Sequence, residues 1–452
     1  MDEFLGRGRE LAVLEDLHGS GRPELFVLYG RRRVGKTELL QRFCEGRRAV
    51  YFQAAQVRDK DNLAAFKEAL REGLADPLVD AVEFPDWPAA LSFASQRAGD
   101  ERLVVVLDEF PYLCEANKGL PSLLQRFWDS TGKNSNLMLV LCGSHVSFME
   151  REVLAERSPL FGRRTAQRRL EPLRPKDALG FFEGWDLNAR LEALGILGGM
   201  PAYLRRFETE SAGTPRDVRS NVLREILRPE GYLFDEVQFL LRTEMSAPAT
   251  YNSILHAIAR GSERVGDVAL SVGVDSTTAN RYLSVLRELG LVERAVPLTD
   301  PDPLRSRRGV YRIADPFLTF HFRHVQPHLS LIQADRGGRV FDEQVLPDLP
   351  NLRAEATVEL VLDHLRREAA EILGSEVVEV GRHGGRCVRA LARLADESLV
   401  AAIVRESGEA PDGTLEEELA QLRKSGGGEL ARLRYTLTDR SEAPLRVERP
   451  KR

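Results

Sequence analysis

The strongest constraint in the sequence is the run Gly30-Arg31-Arg32-Arg33-Val34-Gly35-Lys36-Thr37. It follows an apolar stretch, Glu24–Tyr29, that reads as a strand, and it opens onto a helical pattern from Lys36. Strand, glycine loop and helix beginning Lys-Thr are the parts that triphosphate binding needs. Gly30 and Gly35 let backbone N–H groups turn inward onto phosphate oxygens. Lys36 reaches the β and γ oxygens, and the Thr37 hydroxyl is offered to magnesium. The run therefore predicts an ATP site with Mg2+ and fixes an α/β fold with a parallel sheet around it.

A second feature completes the site. Arg102–Leu107 is a continuous apolar run that suits a buried central strand, and Asp108-Glu109 follow it. Two carboxylates at the carboxyl edge of a parallel sheet lie where ligands of open α/β sheets bind. Asp108 is expected to hold the magnesium through water, and Glu109 to polarise the attacking water. Leu137–Cys142 repeats the apolar character and leads to Gly143-Ser144-His145. Ser144 is the candidate for a small polar residue near the γ-phosphate, or simply a helix cap. His145 is expected to be a solvated loop residue. Ala49–Gln53 reads as a further strand and Ala166–Leu170 as an edge strand. Helices are expected near Asn62–Leu74, Trp87–Arg97 and Leu120–Thr131. Strands alternating with helices indicate the parallel sheet.

Composition limits what surrounds this site. With 452 residues the chain holds several cores, and 43% hydrophobic with 29% charged residues fits a globular protein. The formal net charge of −5 excludes a basic nucleic-acid coat, so any DNA contact is local. No run of 18 apolar residues occurs, so no membrane span is expected. Cys44, Cys114, Cys142 and Cys387 lack metal-ligand spacing and read as structural thiols of a reducing cytoplasm. A cytoplasmic location is the expectation.

Beyond the ATPase core at 1–172, three further parts are predicted. Residues 173–248 read as a helical lid. Residues 249–325 read as a winged helix: two helices, then Asp275–Leu289, then Val292–Pro297 and Gly309–Ile313 flanking a polar loop. Asp275-Ser276-Thr277-Thr278-Ala279-Asn280-Arg281-Tyr282 is a capped helix start whose side chains could reach bases and phosphates. Arg305, Arg307 and Arg308 fall in the wing. The helix also carries Asp275 and Glu288, so a structural or switch role is the competing reading. Residues 340–445 form a third module, and Arg446 to Arg452 reads as a frayed basic tail.

Together these residues resemble the archaeal-type ATPases of the STAND/AAA+ class. Phe4-Leu5-Gly6-Arg7-Gly8-Arg9-Glu10-Leu11 is similar to their opening element, which implies that Leu5, Gly6 and Arg7 lie against the adenine. Tyr29 through Thr37 and Leu107 through Tyr112 match their cradle and acidic strand end. Leu160-Phe161-Gly162-Arg163-Arg164-Thr165 resembles their glycine-arginine element. Gly198-Gly199-Met200-Pro201 resembles their lid turn, implying that Pro201 approaches the base. Gly309 through Leu318 resembles the close of their winged helix. Arg163 is a candidate γ-phosphate arginine, with Arg164 competing, and the alternative is a surface ion pair.

In relatives the third module resembles PD-(D/E)XK nucleases. Such a site needs an acid on one strand and acid-x-lysine on the next. Here the two strands read Arg386-Cys387-Val388-Arg389-Ala390-Leu391 and Leu399 through Arg405. The module is therefore expected to be nuclease-like without a working site; a shifted register using Glu379 and Glu406 is the alternative. The sequence as a whole predicts an ATPase acting as a nucleotide-controlled conformational switch. The alternative is an ATP-regulated DNA-binding factor using the winged helix. An unidentified protein partner and an oligomer are compatible with either reading.

Overall fold

The computed structural model describes residues 4–449 apart from 212–213, 246, 301, 303–304, 307, 406–411, 427–429 and 439–443. It divides into two compact units, 1–172 and 173–452.

The first unit is a parallel sheet sandwiched by helices. Its strands are β1 (Glu24–Tyr29), β2 (Ala49–Gln53), β3 (Leu103–Asp108), β4 (Leu137–Gly143) and β5 (Ala166–Arg169), in the order β2-β3-β4-β1-β5. β1, β3 and β4 are buried along their whole length, as strands flanked on both sides and covered on both faces must be. β5 is indeed at an edge, and its burial is only partial. Register aligns the strand ends: Tyr29 lies opposite Gly143, and Gln53 opposite Asp108. The segments that leave those ends therefore emerge along one sheet edge. The helices are α1 (Gly8–Gly19), α2 (Lys36–Cys44), α3 (Asp59–Leu74), α4 (Leu78–Ala81), α5 (Trp87–Ala98), α6 (Phe110–Ala116) and α7 (Leu120–Ser130). Helix α1 was not anticipated from the sequence. Phe52, Phe66 and Trp87 interlock between β2, α3 and α5, with ring centroids 5.3–6.1 Å apart.

The second unit begins as helices, but with a small hairpin, Glu210–Ser211 paired to Thr214–Pro215, that the helical reading missed. Helix α8 (Leu187–Leu197) crosses a long helix further on very closely. A Cβ on Gly195 would sit 2.4 Å from the carbonyl oxygen of Leu352. The winged-helix order is present: α9 (Pro248–Ala259), α10 (Val265–Val272), α11 (Ser276–Glu288), then β6 (Val292–Ala295) antiparallel to β7 (Val310–Ile313). Asp275 caps α11 through the Thr278 backbone N–H at 2.9 Å. Arg305 and Arg308 are exposed, whereas Arg307 lies outside the described residues.

The last module has α12 (Leu349–Arg367), strands β8 (Val377–Arg382), β9 (Val388–Leu394) and β10 (Leu399–Arg405), helix α13 (Asp412–Gly426), β11 (Leu430–Leu437) and β12 (Leu445–Glu448). The strands lie in sequence order, with β10 and β11 parallel across the α13 crossover. One sheet face packs Ala390, Ala392, Val400, Ala402 and Leu433 onto Val358, Val361, Leu362 and Leu365 of α12. The other packs Val388, Leu391, Ala401 and Ile403 onto Leu419 and Leu422 of α13. A register shift between Val388 and Ala390 explains how Val388 and Leu391 share a face three residues apart.

Two expectations fail here for visible reasons. The strand expected from Arg386 begins at Val388, because the backbone N–H groups of Arg386, Cys387 and Val388 are turned onto the Glu418 carboxylate at 2.7, 3.1 and 3.0 Å. A Cβ on Gly385 would lie 2.6 Å from that carboxylate, so the loop closes around it only with glycine. The supposed frayed tail is instead a strand from Leu445, since Leu445–Glu448 pair with Leu437–Arg434. Residues 450–452 lie outside the described residues.

The winged hairpin and the last module share a core. Leu298, just past β6, is buried among Val388, Leu391, Ala401 and Ile403. Gly381 makes room for it: a Cβ there would be 2.2 Å from the leucine. Arg393 donates to the Leu298 carbonyl, and Arg382 bridges Glu355 and Glu359 of α12.

His321 is buried, 2% exposed, and neither ring nitrogen has a hydrogen-bond partner among the described residues. Burial lowers its pKa from 6.5 to about 4. The folded protein thus keeps it neutral while the unfolded chain takes up a proton below 6.5. Stability present above that pH is lost as pH falls, and the loss levels off below about 4. We expect it to be on the order of 3 kcal/mol. Denaturant unfolding of wild type and His321→Phe between pH 7 and 4 measures this. The variant should lose less stability than wild type across that window; parallel curves would remove His321 as a cause.

Candidate nucleotide site

The site is built at the carboxyl edge of the first unit's sheet. Gly30 leaves β1 where a Cβ would be 2.4 Å from the carbonyl oxygen of Leu170. That oxygen belongs to a backbone stretch held by the Leu170 N–H on the Tyr29 oxygen, at 2.7 Å. Only glycine fits the approach. The loop then turns through two positive φ values, 68° at Arg33 and 96° at Gly35. Lys36 starts α2 and is buried, 4% exposed. Its ammonium donates to the carbonyls of Gly30 at 2.8 Å and Arg31 at 3.0 Å, so it lies inside the curve of the loop. Arg31 is buried, while Arg32 and Arg33 are half-buried. Four cationic side chains in one loop create a field that favours a polyphosphate.

Arg7 supports the loop from outside. It is 5% exposed and donates to the Val34 carbonyl at 2.8 Å. Gly6, at φ 72°, makes the turn that delivers it. Leu5 is half-buried in that turn. The opening element therefore touches the loop directly, a contact that the resemblance alone did not specify.

The two acids part at the tip of β3. Asp108 is 1% exposed. Its Oδ2 accepts from Thr37 Oγ1 at 2.8 Å and from the Tyr51 hydroxyl at 2.7 Å, and its Oδ1 accepts from the Glu109 N–H at 2.9 Å. Glu109 turns away with φ 53°, a left-handed conformation that a non-glycine residue adopts only under constraint. Its Oε1 accepts from Ser144 Oγ at 2.8 Å. Gly143 lets the β4 end come in close, since a Cβ there would meet Met149 Sδ at 2.6 Å. Strands β3 and β4 and the start of α2 thus bring Thr37, Asp108, Glu109 and Ser144 into one linked set. Cys142, fully buried on β4, lies against Asp108 and Lys36, and burial pushes its thiol well above the ordinary range. Burial also pushes the Tyr51 phenol up, with Asp108 adding to the effect.

Hard oxygen donors, Thr37 Oγ1 and the carboxylates of Asp108 and Glu109, are the set that magnesium prefers, so the residues fit a magnesium nucleotide. Tyr51 and Cys142 were missed by sequence reasoning. The alternating burial of β2 was the available signal for Tyr51, because it puts Tyr51 and Gln53 on one face.

Other expected residues lie elsewhere. Arg163 pairs with Asp129, at 3.1 and 3.3 Å, and donates to the Phe161 carbonyl. Arg164 donates to the Leu154 carbonyl and lies over the Phe161 ring. His145 is half-buried and stacked beside Phe148, not a solvated loop residue. Its pKa is lowered by that burial. Pro201 belongs to the second unit. It is buried at the start of a single helical turn, Pro201–Leu204, where the Gly199 carbonyl accepts from Leu173 at 2.7 Å. In the last module Glu379 lies opposite Arg393, 3.7 Å away, and Glu406 is outside the described residues. Among the described residues no three His, Cys, Asp or Glu side chains are grouped to hold a metal ion. No helix among them is long and apolar enough to cross a membrane.

Comparison with known proteins agrees with this geometry. The profile of a family described as an ATPase domain predominantly from Archaea matches residues 4–207. That of the IclR helix-turn-helix domain matches residues 253–295. An uncharacterized protein of Methanocaldococcus jannaschii is 33% identical over 330 residues, 73% of this chain and 70% of its own length. An uncharacterized ATP-binding protein of the same organism is 44% identical over 45 residues, 10% of this chain and 76% of its own. A solved structure of a Walker-type ATPase of Pyrococcus abyssi superposes with a TM-score of 0.53 at 21% identity. It covers 71% of this chain and 96% of that one, and shows the fold. A phosphate loop tied to an acidic strand end, in a chain with these likenesses, belongs to the archaeal-type P-loop ATPase family, here joined to an IclR-type helix-turn-helix.

Proposed function

We propose that this chain is a magnesium-dependent ATPase whose nucleotide state controls its conformation. The observation that carries this is the Thr37–Asp108 hydrogen bond of 2.8 Å beside Lys36 in its loop. It joins the phosphate side of the site to the metal side. Gly30 through Gly35 bind phosphate through backbone N–H groups, and Lys36 and the loop arginines balance its charge. Thr37 and Asp108 hold magnesium, which supplies charge neutralisation on the transferring phosphoryl group. Glu109 orients the attacking water and takes its proton, and Ser144 holds Glu109 until then. Leu5, Gly6 and Arg7, with Pro201 of the lid, are proposed for the adenine side. Arg163 is proposed to face the γ-phosphate, exchanging Asp129 for it, in its own chain or in a second copy. In this reading 173–248 is the lid, 249–325 the winged helix and 340–445 a nuclease-like platform, and the protein works in the cytoplasm with an unidentified protein partner.

Lys36→Ala should abolish nucleotide binding. At a hundredfold excess over its dissociation constant, Mg-ATP should add about 2.7 kcal/mol to the stability of the wild-type ATPase unit and nothing to the variant. Thermal melting reads both, and an unmoved wild type would sink the cradle assignment.

Glu109→Gln should retain Mg-ATP and lose turnover by about a hundredfold or more, since size is preserved and the base is removed. Phosphate release under saturating ATP measures it. Turnover within a few-fold of wild type would take Glu109 out of the mechanism.

A second reading, nucleotide-controlled DNA binding, is favoured by the IclR-type match and by the exposed face of α11, which carries Ser276, Thr277, Asn280, Arg281 and Ser284. Under it, duplex DNA binding weakens steeply with salt and Arg281→Ala weakens it further. The last module should leave supercoiled DNA uncut with magnesium or manganese. Both follow from one titration with plasmid DNA. Salt-independent binding argues against DNA contact through α11, and nicking that survives Lys36→Ala would establish a nuclease.

A further inference from the structure

We propose that Tyr51 is a positioning residue for the metal side of the nucleotide site, fixing how Asp108 presents its carboxylate. This rests on the reading of that site as a magnesium-nucleotide cradle.

Tyr51 belongs to β2, the strand beside β3. In the β2–β3 register it lies opposite Val106, two residues before the Gln53–Asp108 pair. Residues two apart on a strand share a face, so a phenol at this position can run along the sheet toward its edge. It reaches Asp108 Oδ2 at 2.7 Å. A shorter side chain at 51 could not span that distance, and an apolar one could not donate. The phenol shares Oδ2 with Thr37, at 2.8 Å, while Oδ1 takes the Glu109 N–H at 2.9 Å.

Three donors from three elements therefore hold a carboxylate that is almost wholly out of solvent. They have different freedoms. The Glu109 N–H is fixed by the chain. The Thr37 hydroxyl has a second task, because its oxygen is the one offered to the cation. Tyr51 has none: its only printed polar contact is Asp108, and its raised pKa keeps its proton in place at any working pH. It is the donor that holds Oδ2 whatever Thr37 does. Buried carboxylates without such donors are costly and rotate to find others.

The consequence is a rigid metal-side acid. Magnesium demands near-ideal octahedral geometry and gives up little of its water, whereas calcium accepts irregular and larger shells. A carboxylate locked in one orientation favours the first ion, and one that can swing favours the second less poorly. Tyr51 would thus set both the strength of metal-nucleotide coupling and the choice of metal, without touching the nucleotide.

The test uses the full-length protein, Tyr51→Phe and a fluorescent ATP analogue, with affinity measured in EDTA, in magnesium and in calcium. The ring and its packing are kept, so metal-free affinity should stay within about twofold and report that the cradle is folded. Magnesium should tighten binding in wild type, and that tightening should fall about fivefold to tenfold in the variant. The ratio of magnesium to calcium effects should fall as well, which a general loss of packing would not produce. Thr37→Ala serves as a reference that loses the metal effect by removing a direct ligand. If wild type shows the magnesium effect and Tyr51→Phe retains it in full with the same metal preference, Tyr51 has no positioning role. If wild type shows no magnesium effect, the cradle reading falls and this proposal falls with it. Loss of metal-free affinity in the variant would also overturn it, by showing that the phenol supports the loop and not the metal side.

Discussion

The hydrogen bond from Thr37 to Asp108 is the contact on which the first unit's architecture converges. It joins residues 71 apart in sequence. One stands at the start of α2 and the other at the tip of β3, separated by β2 and three helices. Two polar side chains can meet at such a place only if β1 and β3 end at the same height in one sheet. Parallel registry achieves that: β4 pairs with β1 on one side and β3 on the other, and the strand ends stay level. The fully buried apolar runs of β1, β3 and β4 thus have two roles, a core for the unit and a fixed spacing for its edge. A one-residue slip of β3 would put Asp108 on the other face and Glu109 in its place.

Much of this was legible from residue types. A strand that is buried on both faces has little freedom in composition, so Phe26, Val27 and Leu28 or Val104, Val105 and Val106 announce themselves. The glycine positions of the loop are equally explicit, since Gly30 lies against a carbonyl and Gly35 has a positive φ. What stayed hidden were contacts whose partners are distant and individually ordinary. Tyr51 in Ala-Val-Tyr-Phe-Gln looks like any strand aromatic. Its meaning depends on the register of β2 against β3, which pattern does not give. Arg163 was equally ambiguous, and Asp129 on α7 is a partner that no local spacing could reveal.

The last module shows a different limit. Its strands were recognisable by alternation, yet the start of β9 was misplaced by two residues. The cause is a side chain, Glu418, 30 to 32 residues downstream, that captures three successive N–H groups that would otherwise pair in the sheet. Charge-assisted bonds to backbone N–H are stronger than neutral ones, so the loop follows the carboxylate and the ladder begins later. Leu445–Glu448 escaped for the opposite reason: Leu-Arg-Val-Glu alternates faithfully, but basic neighbours made it read as a tail.

Leu298 carries the same lesson into function. A leucine beside a proline in a polar loop suggests a wing that moves freely. Instead it completes the second core of the last sheet, filling the space left by Gly381. Cross-strand Arg312 and Glu293 of the hairpin extend toward Glu359, 3.8 Å from Arg312, and Glu359 is itself held by Arg382. Apolar burial fixes the hairpin and an ion-pair chain orients it, so wing and sheet move as one body. The exposed Arg305 and Arg308 are therefore carried on a framework to which the last module contributes. Whatever those arginines touch, their placement depends on residues nearly a hundred positions further along the chain, since the Leu298 carbonyl is gripped by Arg393.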